Sequence, residues 1–286
     1  MMKNTMLLTL SLFLTSSAWA YIPPYWMIMS RTAENHGRGM YVIDQDLIFP
    51  APEGEPYIIN EKWYVLTEGN LRVEITGRRQ LKDKINLVYV YDETRRHFID
   101  EAGVRKAVRT PSDFFEPLFH FRFSKNIKPY LVTQKIAPPE SLRSEPHKYS
   151  QKSPLPEPEN YLRLGRIDGV VNYIVGFPTL PDTTNKSPGL WIEQDQFTVR
   201  QVRYPSQTQV TARRYNTYAQ GFKFPREREI VFGNSTIRVV TNSVTSIANA
   251  GENKLKVMPT SLAKLQDFKA QLPDDSVIRN FYSLVR

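Results

Sequence analysis

His36, His97, His120 and His147 are the only imidazoles in this 286-residue chain, and no cysteine accompanies them. No two of the four share a spacing that would bring them together on one helix face or strand face, so no metal ligand set is expected. His36 follows an amphipathic segment, where a cation would be favoured by the helix dipole. His120 sits in an aromatic run and reads as a packing residue. The missing cysteine excludes disulfides, thiol catalysis, Cys-ligated zinc and an acylated N-terminal cysteine. Ser261-Leu262-Ala263-Lys264 matches the S-x-x-K signature of serine acyl-enzymes, but neither S-D-N nor K-T-G occurs, and Thr260 or Ser261 reads better as a helix cap. Asp44 and Asp46 lie two apart on one face of a strand, which suits a solvated face. Asp274 and Asp275 precede Ser276, where they favour the start of a final helix. These residue types call for no catalytic residue, no metal and no cofactor, and no enzyme is expected.

A second constellation mixes bases with aromatics: Arg200, Arg203, Tyr204, Arg213, Arg214, Tyr215, Tyr218, Lys223, Phe224, Arg226 and Arg228. In a cytoplasmic protein that mixture would suggest nucleic acid. Here residues 1–20 have the parts of a secretory signal: Lys3, an apolar stretch from Met6 to Leu14, and Ala18-Trp19-Ala20 ahead of Tyr21. Cleavage after Ala20 and a periplasmic location are therefore expected, and no nucleic-acid partner. The formal charge of +9 then suits an anionic membrane surface or an acidic envelope protein.

The elements that must position these residues are mostly strands. Residues 25–36 read as a short amphipathic helix closed by Gly37. Strand signals follow at 40–49, 57–67, 71–76 and 85–91. The alternation of Leu71-Arg72-Val73-Glu74-Ile75-Thr76 marks a strand with one wet face. Turns at 92–94 and 100–103 flank short strands at 97–99 and 104–108. After Thr110-Pro111-Ser112-Asp113, the residues Phe114, Phe115, Leu118, Phe119 and Phe121 predict an apolar helix of about ten residues that needs a deep groove to bury it. A curved sheet with that helix plugged into its concave side would serve. Residues 134–160 carry six prolines among Ser, Glu and Lys, a linker or mobile loop. Strands resume at 161–167 and 170–177 around the hairpin signal Asp168-Gly169. They continue at 190–193, 197–204, 209–215, 229–232 and 236–244. Residues 261–271 and 275–284 read as terminal helices.

The order of signal, short helix, strands, aromatic helix and second strand set resembles the LolA/LolB-type superfamily of periplasmic lipoprotein carriers. The resemblance is carried by residues 25–37 leading into Tyr41-Val42-Ile43, by Pro111-Ser112-Asp113-Phe114-Phe115-Glu116-Pro117-Leu118-Phe119, and by the block from Leu190-Trp191-Ile192 to Phe197-Thr198-Val199. It implies a mainly β, α+β fold: an antiparallel, strongly curved, incomplete β-barrel with short helices plugging its concave side. That unit would span residues 21–258, with the Pro-rich loop at 134–160 and a helical extension at 259–286.

The resemblance further implies a concave apolar face that receives the acyl chains of a lipid or an acylated protein. Each methylene moved from water into such a groove gains about 0.8 kcal/mol. The candidate lining residues are Trp63, Val73, Ile75, Tyr89, Tyr91, Ile174, Trp191, Phe197 and Val199, with Phe114, Phe115, Leu118 and Phe119 as the plug. Arg72, Arg78 and Arg79 all stand open for the family's gating arginine. The expected function is carriage of a hydrophobic ligand across the periplasm towards the outer membrane. The alternative is a non-catalytic interaction or scaffold module of the cell envelope on the same fold, binding through a sheet edge or through the extended segment at 154–159.

Overall fold

Strict two-residue alternation decides which side of each strand is buried. In β1 (Met40–Phe49) every second residue, Tyr41, Ile43, Gln45, Leu47 and Phe49, is buried while those between are half-exposed. The computed structural model describes residues 22–36, 39–51, 53–66, 70–92, 94–114, 121–142, 161–179, 185–248, 251–264 and 272–286. The predicted signal segment and most of the Pro-rich loop therefore lie outside the described residues.

Two antiparallel meanders make the sheet. The first comprises β1, β2 (Tyr57–Val65), β3 (Leu71–Gly77), β4 (Asn86–Tyr91), β5 (Arg95–Ile99) and β6 (Arg105–Arg109). The second runs through β7 (Leu162–Ile167), β8 (Val170–Val175), β9 (Gly189–Glu193), β10 (Val199–Arg203), β11 (Gln209–Thr217), β12 (Lys223–Phe232) and β13 (Ser235–Ile247). Pairing of β1 with β13 fuses them into one sheet of 13 strands, with β6 and β7 as its two edges. Because those edges do not pair, the sheet is a curved, incomplete barrel. Tight turns set the registers. Asp168 (φ 49°) and Gly169 (φ 79°) both take the left-handed conformation that a two-residue hairpin between twisted strands requires.

The main core fills the inner, concave face and is closed by helices. These are α1 (Tyr25–Asn35), α2 (Ser124–Thr133) and the C-terminal α4 (Ser276–Leu284), which contribute Tyr25, Ile28 and Met29, then Ile127 and Leu131, then Ile278, Phe281 and Tyr282. The side chain of Asp275 caps α4 by accepting hydrogen bonds from the backbone N–H groups of Val277 (2.9 Å) and Ile278 (3.0 Å). The outer face carries α3 (Gly251–Lys256) and the tight turn Pro259–Lys264, under which Val257 joins Tyr64 and Leu66, and Leu262 joins Val88 and Val90. The last part of the chain thus grips both faces of the first meander.

The apolar helix expected after Asp113 falls, at 115–120, outside the described residues, between an irregular Phe114 and a bend at Phe121. Three sequence readings change. Further on, a helix that the sequence does not signal, α2, is present and contains Pro129. Proline counts against a helix in sequence, but the bond it removes is to the carbonyl of Lys125, an exposed residue. The outer face of β3 is not simply wet, because Arg72 is buried there, donating from Nε to Glu74 (2.9 Å) and from Nη1 to Ser261 Oγ (3.1 Å). That contact and its own bond to the Lys256 carbonyl (2.8 Å) engage the Ser261 hydroxyl, which therefore pins the turn to the sheet. Lastly, the start of the Pro-rich loop is packed: Ile136, Ala137 and Leu142 are buried.

Candidate functional site: the inner face of the half-barrel

Alternation aims Ile59, Glu61, Trp63 and Val65 of β2, Leu71, Val73 and Ile75 of β3, and Leu87, Tyr89 and Tyr91 of β4 onto one surface. Phe114 inserts there, stacked on Tyr91 (4.6 Å between ring centroids, 5° between planes) and on Trp63 (6.1 Å, 21°). From α4, Phe281 meets Phe49 edge-on at 5.2 Å and Tyr282 meets Tyr89 at 6.2 Å.

A polar chain crosses this apolar floor. Glu61, fully buried, accepts from Arg286 Nε (3.0 and 3.2 Å to its two oxygens), from Gln45 Nε2 (2.9 Å) and from the Trp63 indole N–H (2.9 Å). Arg228 donates to the Gln45 side-chain oxygen. The Arg286 guanidinium lies over the Trp63 ring at 5.1 Å and the Phe281 ring at 4.9 Å. Burial alone would lower the Arg286 pKa, but the Glu61 carboxylate beside it holds it above its ordinary value. Arg96 completes the anchor, donating from Nη1 to the backbone oxygens of Tyr282 (2.5 Å) and Arg286. So α4 is held in the groove by aromatic packing around one buried ion pair and by two bonds from Arg96.

Of the nine residues expected to line the groove, Trp63, Val73, Ile75, Tyr89, Tyr91 and Val199 join this one core and Phe197 packs against it. Ile174 and Trp191 do not. They pair with each other on adjacent strands, between residues that face the core, and so point to the outer face, where Arg203 lies 5.0 Å over the Trp191 ring. The three arginines left open for gating also stay off the inner face. Arg72 is pinned outside, while Arg78 and Arg79 are exposed beside Asp46 (3.7 Å) and Glu55 (3.2 Å). The inner-face residues that sequence reasoning passed over are Gln45, Glu61 and Arg286, and Arg228 was grouped with a surface patch. The available signal was parity: Gln45 and Glu61 sit at inward positions among apolar residues, where an unpaired polar group is costly.

The end of α1 brings a second buried cluster. His36 is buried, with no hydrogen-bond partner for either ring nitrogen. Burial, and then the neighbouring Arg122 guanidinium, lower its pKa from 6.5 to about 3, so this imidazole is neutral and not the dipole-favoured cation expected from sequence. Arg122 donates to the Leu66 carbonyl (2.7 Å) and lies 5.8 Å over the Tyr41 ring. Burial pulls its pKa down to about 10. The unfolded chain binds a proton at His36 that the folded chain refuses. Stability is therefore fully present above pH 6.5 and falls as pH drops, by about 1.4 kcal/mol per unit until about pH 3. Urea denaturation at pH 7 and pH 5 will show His36→Leu losing about 2 kcal/mol less than the unmodified chain over that interval. Equal losses in the two proteins would refute the assignment.

Among the described residues, no three His, Asp or Glu side chains group to hold a metal ion, and no helix is long and apolar enough to cross a membrane. No family model and no curated protein matches the sequence. Solved structures do match by shape. A domain from Vibrio parahaemolyticus, described as an outer membrane lipoprotein-sorting protein, superposes with a TM-score of 0.51 at 12% identity, over 84% of this chain and 98% of its own. A LolA superfamily protein from Nitrosomonas europaea gives 0.48 at 11% identity, over 80% and 96%, and a DUF1329 family protein from Desulfovibrio piger 0.44 at 9%, over 83% and 97%. What this chain shares with the Vibrio domain is its fold, the curved half-barrel with helices closing its inner face.

Proposed function

We propose that this chain is a non-catalytic carrier of the bacterial cell envelope, exported by the segment ending at Ala20 and working in the periplasm. Its inner face holds the acyl part of a lipid or an acylated protein, with Trp63, Val73, Ile75, Tyr89 and Tyr91 as the floor. The single observation that carries this reading is the filling of the groove. Its apolar floor is covered by side chains from Phe114 and α4, whose contacts mimic those of a bound chain. In this reading α4 occupies the groove at rest and gives way to the ligand. The Glu61–Arg286 pair suits a contact that must release, since the attraction of a buried ion pair is offset by the hydration its charges regain on separation.

A fatty acid brominated near its methyl end tests this directly. Trp26 is exposed and Trp191 faces outward, so in a Trp26→Phe, Trp191→Phe variant of the mature chain Trp63 alone reports from the groove. Saturable quenching of Trp63 at micromolar probe is the expected result. The filled groove also favours a second reading, an interaction module in which α4 never leaves. Full Trp63 emission at saturating probe would establish that one instead.

A further inference from the structure

The rim of the half-barrel carries a cleft of about 680 Å³ beside the open edge strand β6. Arg95, Arg109, Thr110, Pro111, Phe114 and Tyr130 are among the residues that line it. Arg95 and Arg109 are directly opposed across the β5–β6 ladder. Two like charges at such a position destabilise a hairpin. The same hairpin neutralises Lys106 with Asp100 at 3.5 Å, whereas among the described residues neither Arg95 nor Arg109 has a carboxylate partner. The Thr110 hydroxyl, next in the chain after Arg109, is buried without a hydrogen-bond partner. Two exposed guanidiniums and an unsatisfied hydroxyl thus line one cleft, and an anion would relieve both deficits.

The other wall is apolar and leads inward. Phe114 borders the cleft and stacks on Tyr91, the inner-face residue at the edge of the groove floor. Tyr130 holds that wall in place, donating its hydroxyl to the Phe114 carbonyl at 3.1 Å and lying 2.8 Å from the Tyr204 hydroxyl. A ligand spanning the two walls must be anionic at one end and apolar at the other, and the volume falls within the range of small-molecule sites.

We propose that this cleft is the head-group site for an anionic lipid. A phosphate or carboxylate is held by Arg95 and Arg109 with the Thr110 hydroxyl donating to it, and the first methylenes lie along Pro111 and Phe114 towards the groove. The inference rests on the carrier reading for the acyl part and narrows its cargo. Arginine forks match a phosphate or carboxylate bidentately, so a charged lipid is selected over an acyl group joined to a protein by an uncharged ester or amide.

Calorimetric titration of the mature chain with dodecyl phosphate, dodecyl maltoside and inorganic phosphate, each below any micelle threshold, separates the possibilities. An Arg95→Gln, Arg109→Gln variant, with both changes at exposed positions and its melting curve checked against the parent, serves as the comparison. The expected result is a tenfold or greater loss of dodecyl phosphate affinity in the variant, greater at low than at high salt, with dodecyl maltoside unchanged. Dodecyl phosphate binding equally to both proteins, with Trp63 still quenched by the brominated acid, would overturn the head-group site and leave the carrier reading standing. Inorganic phosphate binding as tightly as dodecyl phosphate would make this a free-anion site and overturn the lipid assignment. Neither dodecyl compound binding either protein would overturn both.

Discussion

Glu61→Gln will lower the stability of the folded chain by about 3–5 kcal/mol, the usual cost of removing one partner of a buried ion pair. The substituted amide can still accept from Gln45 or the Trp63 indole, so the loss comes from the Arg286 guanidinium, which stays buried with no opposing charge. Adding Arg286→Met should recover most of it. The long unbranched side chain can follow the guanidinium's path over Trp63 and Phe281, and Arg96 binds the backbone oxygen of residue 286 whatever its side chain. Urea denaturation of the two single variants and the double variant completes the cycle. If Glu61→Gln costs less than 1 kcal/mol, water reaches the pair and α4 is not sealed against the sheet.

Phe281→Ala should act in opposite directions on stability and on binding. Truncating a fully buried phenylalanine costs about 3–5 kcal/mol. In the carrier reading much of that cost falls on the docking of α4 and little on the sheet. A ligand competing with α4 sees its apparent affinity reduced by the fraction of molecules whose groove is open. Weakening the dock should therefore tighten binding of the brominated fatty acid by up to about 100-fold, the ceiling being reached once the undocked form dominates. Phe49, the edge-on partner of Phe281, belongs to the sheet, and Phe49→Ala loosens the same contact but also removes part of the groove floor, so its gain should be smaller than that of Phe281→Ala. Probe affinity that falls in both variants would identify α4 as part of the binding surface and not its occupant. Unchanged affinity in both would separate probe binding from the groove altogether.

Both predictions depend on residues whose importance lay half-visible in the sequence. The strands were legible because a surface buried on one side imposes a two-residue period, and β1, β3, β8 and β11 begin within one residue of their expected starts. Asp168-Gly169 was legible because few residue pairs accept two successive left-handed conformations. The final helix was legible from Asp275, which caps it, and from the apolar spacing of Ile278, Phe281 and Tyr282. The aromatic run after Pro111 does not say where Phe114 will lie. Phe114 is placed by stacking on Trp63 and Tyr91, a contact between distant parts of the chain that no local pattern encodes.

What the sequence determined by itself was local and periodic: strand content, hairpin positions, the capped last helix, and the exclusion of cysteine chemistry. The tertiary structure alone decided which strands are neighbours across the middle of the sheet, since β1 and β13 meet only after some 190 intervening residues. It also decided which face each alternating set serves. Period two says that Trp191 and Ile192 point opposite ways, but only the curvature and the docked helices determine which of them faces inward. The same holds for charge. Glu61 and Arg286 are unremarkable 225 residues apart and become a buried pair only when α4 closes the groove. Alternation is a property of each strand, whereas a site is a property of which strands and helices share a surface, and burying the most apolar area at once selects that arrangement.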